Sequence, residues 1–313
     1  MNQTYRNFII LFLIVISILL FFLFKYNNII EKKQIDILVA NKIDIVQNEL
    51  TYQKSRALSL AILFSKNQKI IDNLKNNNPE QLKKELLSIL SNIENYTNEN
   101  NIQLQVHTKD LKVFVRSWED KDLGTSLETF RKGLLKVKNE KEPYVSLELG
   151  KRYNIKAISP IFDENNEYIG TIEVINDFKD LTKRLKFIGF EVLLLLEKKY
   201  LNIASYQKNN QFLYDYVVVQ NEFDKKLYDN LLENKKYLTN EKLYYRENNR
   251  IITQIPLTNI NSTNVGILIL SFEKNERDFN YLPQYEYQGK IMNNRTINSP
   301  NKPEQIKKEI IIK

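Results

Sequence analysis

The hydrophobic pattern of the chain opens with one long apolar run. Residues 8–24 (FIILFLIVISILLFFLF) carry no charge and lie between Arg6 and Lys25. As a helix this run is roughly 26 Å long at about 1.5 Å per residue, which is long enough to span a bilayer. No small-residue cleavage site follows it, so the pattern favours an uncleaved signal anchor over a removed signal peptide. We therefore predict a transmembrane anchor over residues 1–28. No later span is expected, because the later apolar runs are only strand-sized.

A helical pattern follows over residues 29–99, a segment with no glycine and with Pro79 as its one proline. Apolar positions recur there in alternating steps of four and three, which is the heptad spacing of a long helix. The stripe comprises Val39, Ile43, Val46, Leu50, Gln53, Ala57, Leu60 and Phe64. It can serve as a dimer seam or as the face of a stalk helix that lies along a sheet. We expect both uses along its length, with self-association favoured in the membrane-proximal half. A second helix is expected to begin at Pro79.

Alternating apolar and polar residues predict strands within residues 100–182. A hairpin is expected in IQLQVHT and KVFVRSW, with His107 at its turn, and three further strands are expected in PYVSLEL, IKAISPIF and YIGTIEVIN. Between these two groups, GTSLETF is expected to open a helix. Thr125 and Glu128 have the spacing of a capping box at its start.

A similar order of elements recurs within residues 183–278. An apolar strand at 187–196 is followed by a short strand in LNIAS, a helical region at 221–238, and strands in KLYYREN, RIITQIPL and VGILILSF. Two successive blocks of hairpin, helix and hairpin predict the α+β class, with two tandem modules built on antiparallel sheets. Residues 279–313 are polar with scattered prolines and are predicted to be a disordered tail.

Composition narrows the possible functions. The net charge is +8, but Lys and Glu are interleaved along the chain, which indicates a solvated surface rather than a nucleic-acid interface. There is no cysteine and one histidine, which excludes disulfides, thiol catalysis and multi-histidine metal sites. The seven glycines are widely separated, so no phosphate-binding loop is present. We therefore predict a protein that is not an enzyme and uses no cofactor or metal.

Three segments carry a resemblance to a known family: HTKDLKVFVRSWEDKDLGTSLETFRKGLLKV, EPYVSLELG and ISPIFDENNEYIGTIEVINDF. This part of the chain, about residues 100–180, resembles the double-Cache extracytoplasmic sensor domains of bacterial chemoreceptors and sensor histidine kinases. Members typically show a His-Thr hairpin, an Arg-x-Trp strand, a Glu-x-Gly segment and a hairpin ending in Gly-x-x-Glu. The second module has no comparable motif and is assigned by its position.

The resemblance implies an architecture and a function. A transmembrane helix and a long stalk helix would carry two PAS-like Cache modules, the membrane-distal one at 100–182 and the membrane-proximal one at 183–278. The distal module would bind a small metabolite, a carboxylate or an amine, and signal through a separate partner or a homodimer. The chain would be a single-pass protein of the inner (cytoplasmic) membrane with its soluble part in the periplasm or outside the cell. Two alternatives remain: a ligand-free scaffold, and a truncated chemoreceptor or histidine kinase without its output domain.

Candidate ligand-binding residues follow from strand alternation. In KVFVRSW, Arg116 and Trp118 lie on one face, and Arg131 follows at the edge of the next helix. Two guanidinium groups and an indole suit a planar carboxylate.

Acidic residues on the later strands complete the predicted site. Glu148 and Glu173 would accept a ligand ammonium group, and Tyr144 lies on the same face as Glu148 and adds a hydroxyl. The alternative is structural: Arg131 or Glu173 would each pair with another residue of the protein, and the tryptophan would belong to the core.

Overall fold

The computed structural model describes residues 3–97, 99, 101–239 and 241–274. The predicted tail at 279–313 and the last residues of the predicted second module lie outside the described residues. Helices run over α1 (Gln3–Ser65), α2 (Gln68–Lys75), α3 (Pro79–Thr97), α4 (Lys132–Glu140), α5 (Lys179–Phe187) and α6 (Lys225–Glu233).

Helix α1 is continuous from the predicted anchor into the stalk. It contains neither glycine nor proline over its 63 residues, so nothing in its sequence breaks the hydrogen-bond ladder. Its most apolar window has none of its residues buried within the chain, and the helix is long and apolar enough to cross a membrane. These observations support the predicted membrane span.

The stripe on α1 packs against the chain's own sheet. Val39, Val46, Gln53 and Ala57 are at most 2% exposed. The helix contacts three strands of the first sheet, Tyr144–Glu148, Asn154–Phe162 and Tyr168–Asn176. Beyond Ser65 the chain turns into α2 and α3, and α3 begins at Pro79 as predicted.

The first sheet contains β1 (Ile102–Thr108), β2 (Val113–Arg116), β3 (Tyr144–Glu148), β4 (Asn154–Phe162) and β5 (Tyr168–Asn176). All its pairings are antiparallel, in the order β2-β1-β5-β4-β3. Its apolar face carries Leu104, Val106, Ala157, Ile172 and Val174, which share one core with the buried residues of α1. The opposite face is covered by α4 and the segment that precedes it.

The capping box predicted at Thr125 is wrong. Helix α4 starts at Lys132, and the side chain of its N-cap residue, Arg131, makes no capping hydrogen bond. The backbone of 125–127 instead pairs with the end of the hairpin, since Val113 N donates to the carbonyl oxygen of Thr125 at 3.0 Å and Leu127 N donates to that of Leu111 at 3.0 Å. These strand-like hydrogen bonds hold the segment extended and delay the helix.

The second sheet contains β6 (Glu191–Glu197), β7 (Phe212–Leu213), β8 (Tyr216–Val218), β9 (Tyr244–Glu247), β10 (Arg250–Thr258) and β11 (Asn264–Glu273). It is antiparallel, in the order β7-β8-β6-β11-β10-β9. Leu227 and Leu231 of α6 pack on one face, and α1 packs on the other. The architecture is α+β with two PAS-like modules, as the sequence predicts.

The strand predicted in LNIAS is also wrong. This segment forms tight turns, because Leu201 N bonds to the carbonyl oxygen of Lys198 and Ala204 N to that of Tyr200. Strands β7 and β8 were not predicted, since they are two and three residues long and show no readable alternation. The predicted helical region at 221–238 contains α6, which Asp224 caps by accepting from Leu227 N at 3.0 Å.

Candidate functional site

One face of the first sheet is polar and yet fully buried. Register places Arg116, Gln105 and Glu173 side by side across β2, β1 and β5. We call the polar residues on this side of the sheet the polar face: Gln105, His107, Arg116, Ser146, Glu148, Asn154, Lys156, Thr171 and Glu173. None of them is more than 7% exposed. Buried charges are costly unless they are paired, so such a face is a candidate site rather than ordinary core.

Arg131, the residue directly before α4, extends its side chain to the centre of this face. Its Nε atom donates to Glu148 Oε1 at 3.3 Å, and its Nη2 atom donates to Glu173 Oε1. The guanidinium group is 4% exposed. Burial alone lowers the pKa of Arg131, but the charges of Glu173 and Glu148 outweigh burial and raise it. Arg131 is therefore cationic and links two buried carboxylates.

The first turn of α4 lies unusually close to Glu148. Gly133 N donates to Glu148 Oε1 at 3.1 Å, so the carboxylate accepts from both the helix backbone and Arg131. A Cβ atom on Gly133 would lie 2.6 Å from Glu148 Oε2. Glycine at this position allows the helix start to touch the acidic side chain.

Each carboxylate keeps one oxygen without a partner. Glu148 Oε2 and Glu173 Oε2 are buried and accept no hydrogen bond from the described residues, and the same is true of Ser146 Oγ. A buried acceptor without a donor costs roughly 1–3 kcal/mol. The polar face therefore offers three acceptors to a donor that the described residues do not supply.

Lys156 lies on the same face and was not among the predicted residues. It is 3% exposed, and no hydrogen bond or ion pair joins its ammonium group to any described residue. Burial lowers its pKa to about 8, with a further contribution from the charge of Arg131. The alternation of IKAISPIF contained this signal, because it places Lys156 on the face opposite Ala157, which faces α1.

His107 is a buried strand residue, and its predicted position at the hairpin turn is wrong. Strand β1 pairs with β5 through Thr108, so the turn comes only after that residue. Gln105 Nε2 donates to His107 Nε2 at 2.8 Å, which leaves Nδ1–H to donate to Thr171 Oγ1 at 3.0 Å. Burial first, and the nearby cations second, hold the pKa of His107 well below its usual range. The imidazole is neutral and lies 3.8 Å from Glu173 Oε2.

Arg116 occupies the edge of the polar face. Its Nε atom donates to Gln105 Oε1 at 3.3 Å, and its Nη1 atom donates to Glu119 Oε1 at 2.9 Å and to Asp122 Oδ2 at 3.3 Å. Trp118 is half-buried beside it, with the guanidinium carbon 5.7 Å from the ring centroid.

The structure thus brings four of the six predicted residues together: Arg116, Arg131, Glu148 and Glu173. Trp118 lies at the outer edge, against Arg116. Tyr144 is half-buried at the opposite edge, where it packs with the apolar residues under α4.

A separate cleft of about 370 Å³ lies between the two modules. Its walls include Arg152 and Asp177 from the first module and Tyr206, Gln207 and Gln220 from the second. None of the six predicted residues lines this cleft.

Residues 34–275 match the family dCache_3, described as the double sensory domain of two-component sensor kinases. The chain belongs to this family. The match covers both sheets and the part of α1 that packs on them, which confirms the resemblance noted in the first module and extends it to the second. No curated protein sequence matches the chain.

Several solved structures resemble the chain at low sequence identity. The sensor domain of the Vibrio cholerae histidine kinase DctB is 12% identical, with 77% of this chain and 99% of that one covered and a TM-score of 0.45. The periplasmic domain of Vibrio cholerae LuxQ is 10% identical, with 76% and 99% covered and a TM-score of 0.44. The ligand-binding domain of the Campylobacter jejuni chemoreceptor Tlp3, in complex with 4-methylisoleucine, is 14% identical, with 76% and 92% covered and a TM-score of 0.43.

Proposed function

We propose that the chain is a membrane-anchored extracytoplasmic sensor whose first module binds a small metabolite carrying both an ammonium and a carboxylate group. The polar face supports this proposal. Together with Arg131 it combines two carboxylates with two guanidinium groups and a lysine, and it lies beneath α4 and its preceding segment. Family membership supports a sensory role but does not name the ligand.

The unpartnered oxygens of Glu148 and Glu173 carry the argument. A ligand ammonium group supplies three donors, which is the number of buried acceptors that the face leaves open when Ser146 Oγ is included. The unpaired ammonium group of Lys156 is the corresponding donor for a ligand carboxylate. Binding would remove the desolvation cost of groups that the folded chain buries without partners.

Helix α1 is the proposed route from this site towards the membrane. It packs on β3, β4 and β5 of the first sheet. It also contacts the second module, where Glu31 accepts from Lys274 Nζ at 2.6 Å and Lys42 Nζ lies 5.3 Å from the ring centroid of Phe190. A shift of the first sheet would therefore act on a helix that runs into the proposed membrane span. A dimer partner or a separate signalling protein would respond to this movement of α1.

The test is thermal unfolding of the full chain in detergent against L-amino acids, polyamines and dicarboxylic acids, each added separately. A ligand at 100 times its Kd stabilises by about 2.7 kcal/mol, which raises the Tm by several degrees. We expect at least one amino acid to do so and Glu173→Gln to abolish the effect. The exposed Glu140→Gln is the matched control and should retain it. If no compound shifts the Tm, sensing of this ligand class is excluded.

One observation favours a second candidate function, a ligand-free scaffold. The guanidinium group of Arg131 already lies between Glu148 and Glu173, so a side chain of the protein fills the middle of the polar face. A scaffold would leave the Tm unchanged by every compound and would still associate through α1. Sedimentation of the full chain in detergent would then show a dimer without added ligand.

A further inference from the structure

The segment that leads from β2 towards α4 covers the Arg116 edge of the polar face. We call residues 117–126 the lid segment. Arg116 Nη1 donates to Glu119 Oε1 at 2.9 Å and to the carbonyl oxygen of Lys121 at 2.8 Å, so one guanidinium group folds the segment back over itself. Asp122 has a φ of +59°, a left-handed conformation that a non-glycine residue adopts only when its surroundings hold it there.

A residue of the second module binds the same segment. Tyr206 donates its hydroxyl hydrogen to Glu119 Oε2 at 3.2 Å and accepts from Lys151 Nζ at 3.2 Å. Lys151 in turn is ion-paired with Asp122. The Glu119 carboxylate thus uses one oxygen for Arg116, on the polar face, and the other for Tyr206, across the module boundary.

These contacts close into a ring of side chains. Around the ring, Arg116 binds Glu119 and Asp122, Asp122 binds Lys151, and Tyr206 joins Lys151 to Glu119. A charged ring of this kind holds its geometry better than isolated surface pairs, because each member is oriented by two neighbours.

Backbone and side-chain contacts around Tyr206 join the first module to the second sheet. The backbone N of Tyr206 donates to the carbonyl oxygen of Lys151, in the first module, at 2.9 Å. The next residue, Gln207, is 3% exposed and donates to the carbonyl oxygen of Val219, directly after β8, at 3.4 Å. A displacement of Tyr206 therefore acts on both the module boundary and the second sheet.

We propose that Tyr206 is a positioning residue for the candidate ligand site: from the second module it holds the lid segment closed over the polar face and couples closure to the packing of the two modules. The coupling is reciprocal. If the contact between Tyr206 and Glu119 stabilises the closed lid segment, closure of the lid segment stabilises that contact by the same free energy. The role of Tyr206 at a ligand site rests on the proposed function, whereas the coupling between the lid segment and the module boundary is a property of the ligand-free chain.

Hydrogen–deuterium exchange of the full chain in detergent, without ligand, tests the coupling. The lid amides of Ser117, Gly124 and Thr125 are hydrogen-bonded in the closed arrangement and report opening. Tyr206→Phe removes one hydroxyl and keeps the ring, and it should speed exchange of these amides about fivefold. Tyr200→Phe, which removes a hydroxyl elsewhere in the second module, should leave them at the wild-type rate.

Two further variants separate positioning from general stability. Glu119→Gln weakens the contact with Tyr206 and also the ion pair with Arg116, so it should speed lid exchange at least as much as Tyr206→Phe. The double variant should exchange no faster than Glu119→Gln alone, because the Tyr206 contact is already lost. Arg116→Lys, which weakens the contacts of the lid segment on the side of the polar face, should speed exchange of the backbone amides around Tyr206. Unchanged lid exchange in Tyr206→Phe overturns the proposal, and so does an equal increase over β6, β10 and β11. Neither result bears on whether a metabolite binds.

Discussion

Arg131 and Glu173 form an ion pair in which both side chains are buried, at 4% and 0% exposure. The pair joins the start of α4 to the central strand of the first sheet. Desolvating two charges is expensive, so the net contribution of such a pair to stability is small, whereas removal of one partner leaves the other charge buried alone. The pair therefore sets where α4 lies more than it sets how stable the module is.

Glu173→Ala should consequently destabilise the chain strongly, by about 3–5 kcal/mol, because Arg131 loses its closest counter-charge within the core. The double variant Arg131→Met with Glu173→Met removes both charges and should cost much less. Urea unfolding followed by circular dichroism measures both. A single variant no worse than the double would contradict the description of the pair as a buried, desolvated contact. Glu140→Ala, which breaks the exposed Lys136–Glu140 pair, is the control and should change little.

Gly133→Ala tests the close approach of α4 to Glu148. The new methyl group would lie 2.6 Å from Glu148 Oε2, so either the helix start or the carboxylate must move, and overpacking of this kind costs about 1–3 kcal/mol. On a helix, alanine would otherwise be the better residue. Combining Gly133→Ala with Glu148→Ala should therefore be less harmful than the sum of the single variants. Strict additivity in urea unfolding would show that the two residues do not touch.

The sequence predicted the composition of the polar face better than its connections. Strand alternation placed Arg116 with Trp118 on one face of their strand and Glu148 with Tyr144 on one face of theirs, because side chains alternate with a period of two. Internal pairing of Arg131 or Glu173 was left open as an alternative, without a partner for either. What alternation does not encode is the register between distant strands, and hence which charges meet.

The errors in the sequence analysis have a common physical cause. The helix expected at Thr125 starts later because backbone hydrogen bonds to Val113 and Leu111 compete with the cap. The contact of Tyr206 with Glu119 joins residues of different modules, and no local pattern reports it. Local propensity predicts elements well, whereas competition from residues distant in sequence decides where they end.

A substitution in the heptad stripe of α1 distinguishes packing on the chain's own sheet from self-association. Ala57 is 0% exposed and faces the chain's own core, whereas Ser59, two residues on, is exposed. Ala57→Leu should overpack this contact and lower the free energy of unfolding by about 1–3 kcal/mol, while Ser59→Leu should have little effect. If the stripe at Ala57 were instead a dimer seam, the substitution would change the sedimentation coefficient in detergent and leave the unfolding of each protomer unaltered.

Lys156 should make the free energy of unfolding depend on pH in the alkaline range. Its pKa is about 8 in the folded state, against roughly 10.4 in an unfolded chain. Between these values the unfolded state binds a proton that the folded state does not. Stability contributed by this group therefore rises with pH by about 1.4 kcal/mol per unit from pH 8 to pH 10 and levels off below pH 8. The whole effect is on the order of 3 kcal/mol.

Lys156→Met should remove this dependence and stabilise the chain at pH 7, since an apolar side chain of similar length replaces an unpaired buried charge. Urea unfolding at pH 7.5, 8.5 and 9.5 measures the slope, and Lys136→Met, at a half-buried position where the lysine is ion-paired with Glu140, should keep the wild-type slope. An unchanged slope in Lys156→Met would show that the lysine has a partner or reaches water. If the proposed ligand site is correct, the same variant should also lose the Tm shift produced by an amino acid, because the charge that destabilises the empty module is the one that binds the ligand carboxylate.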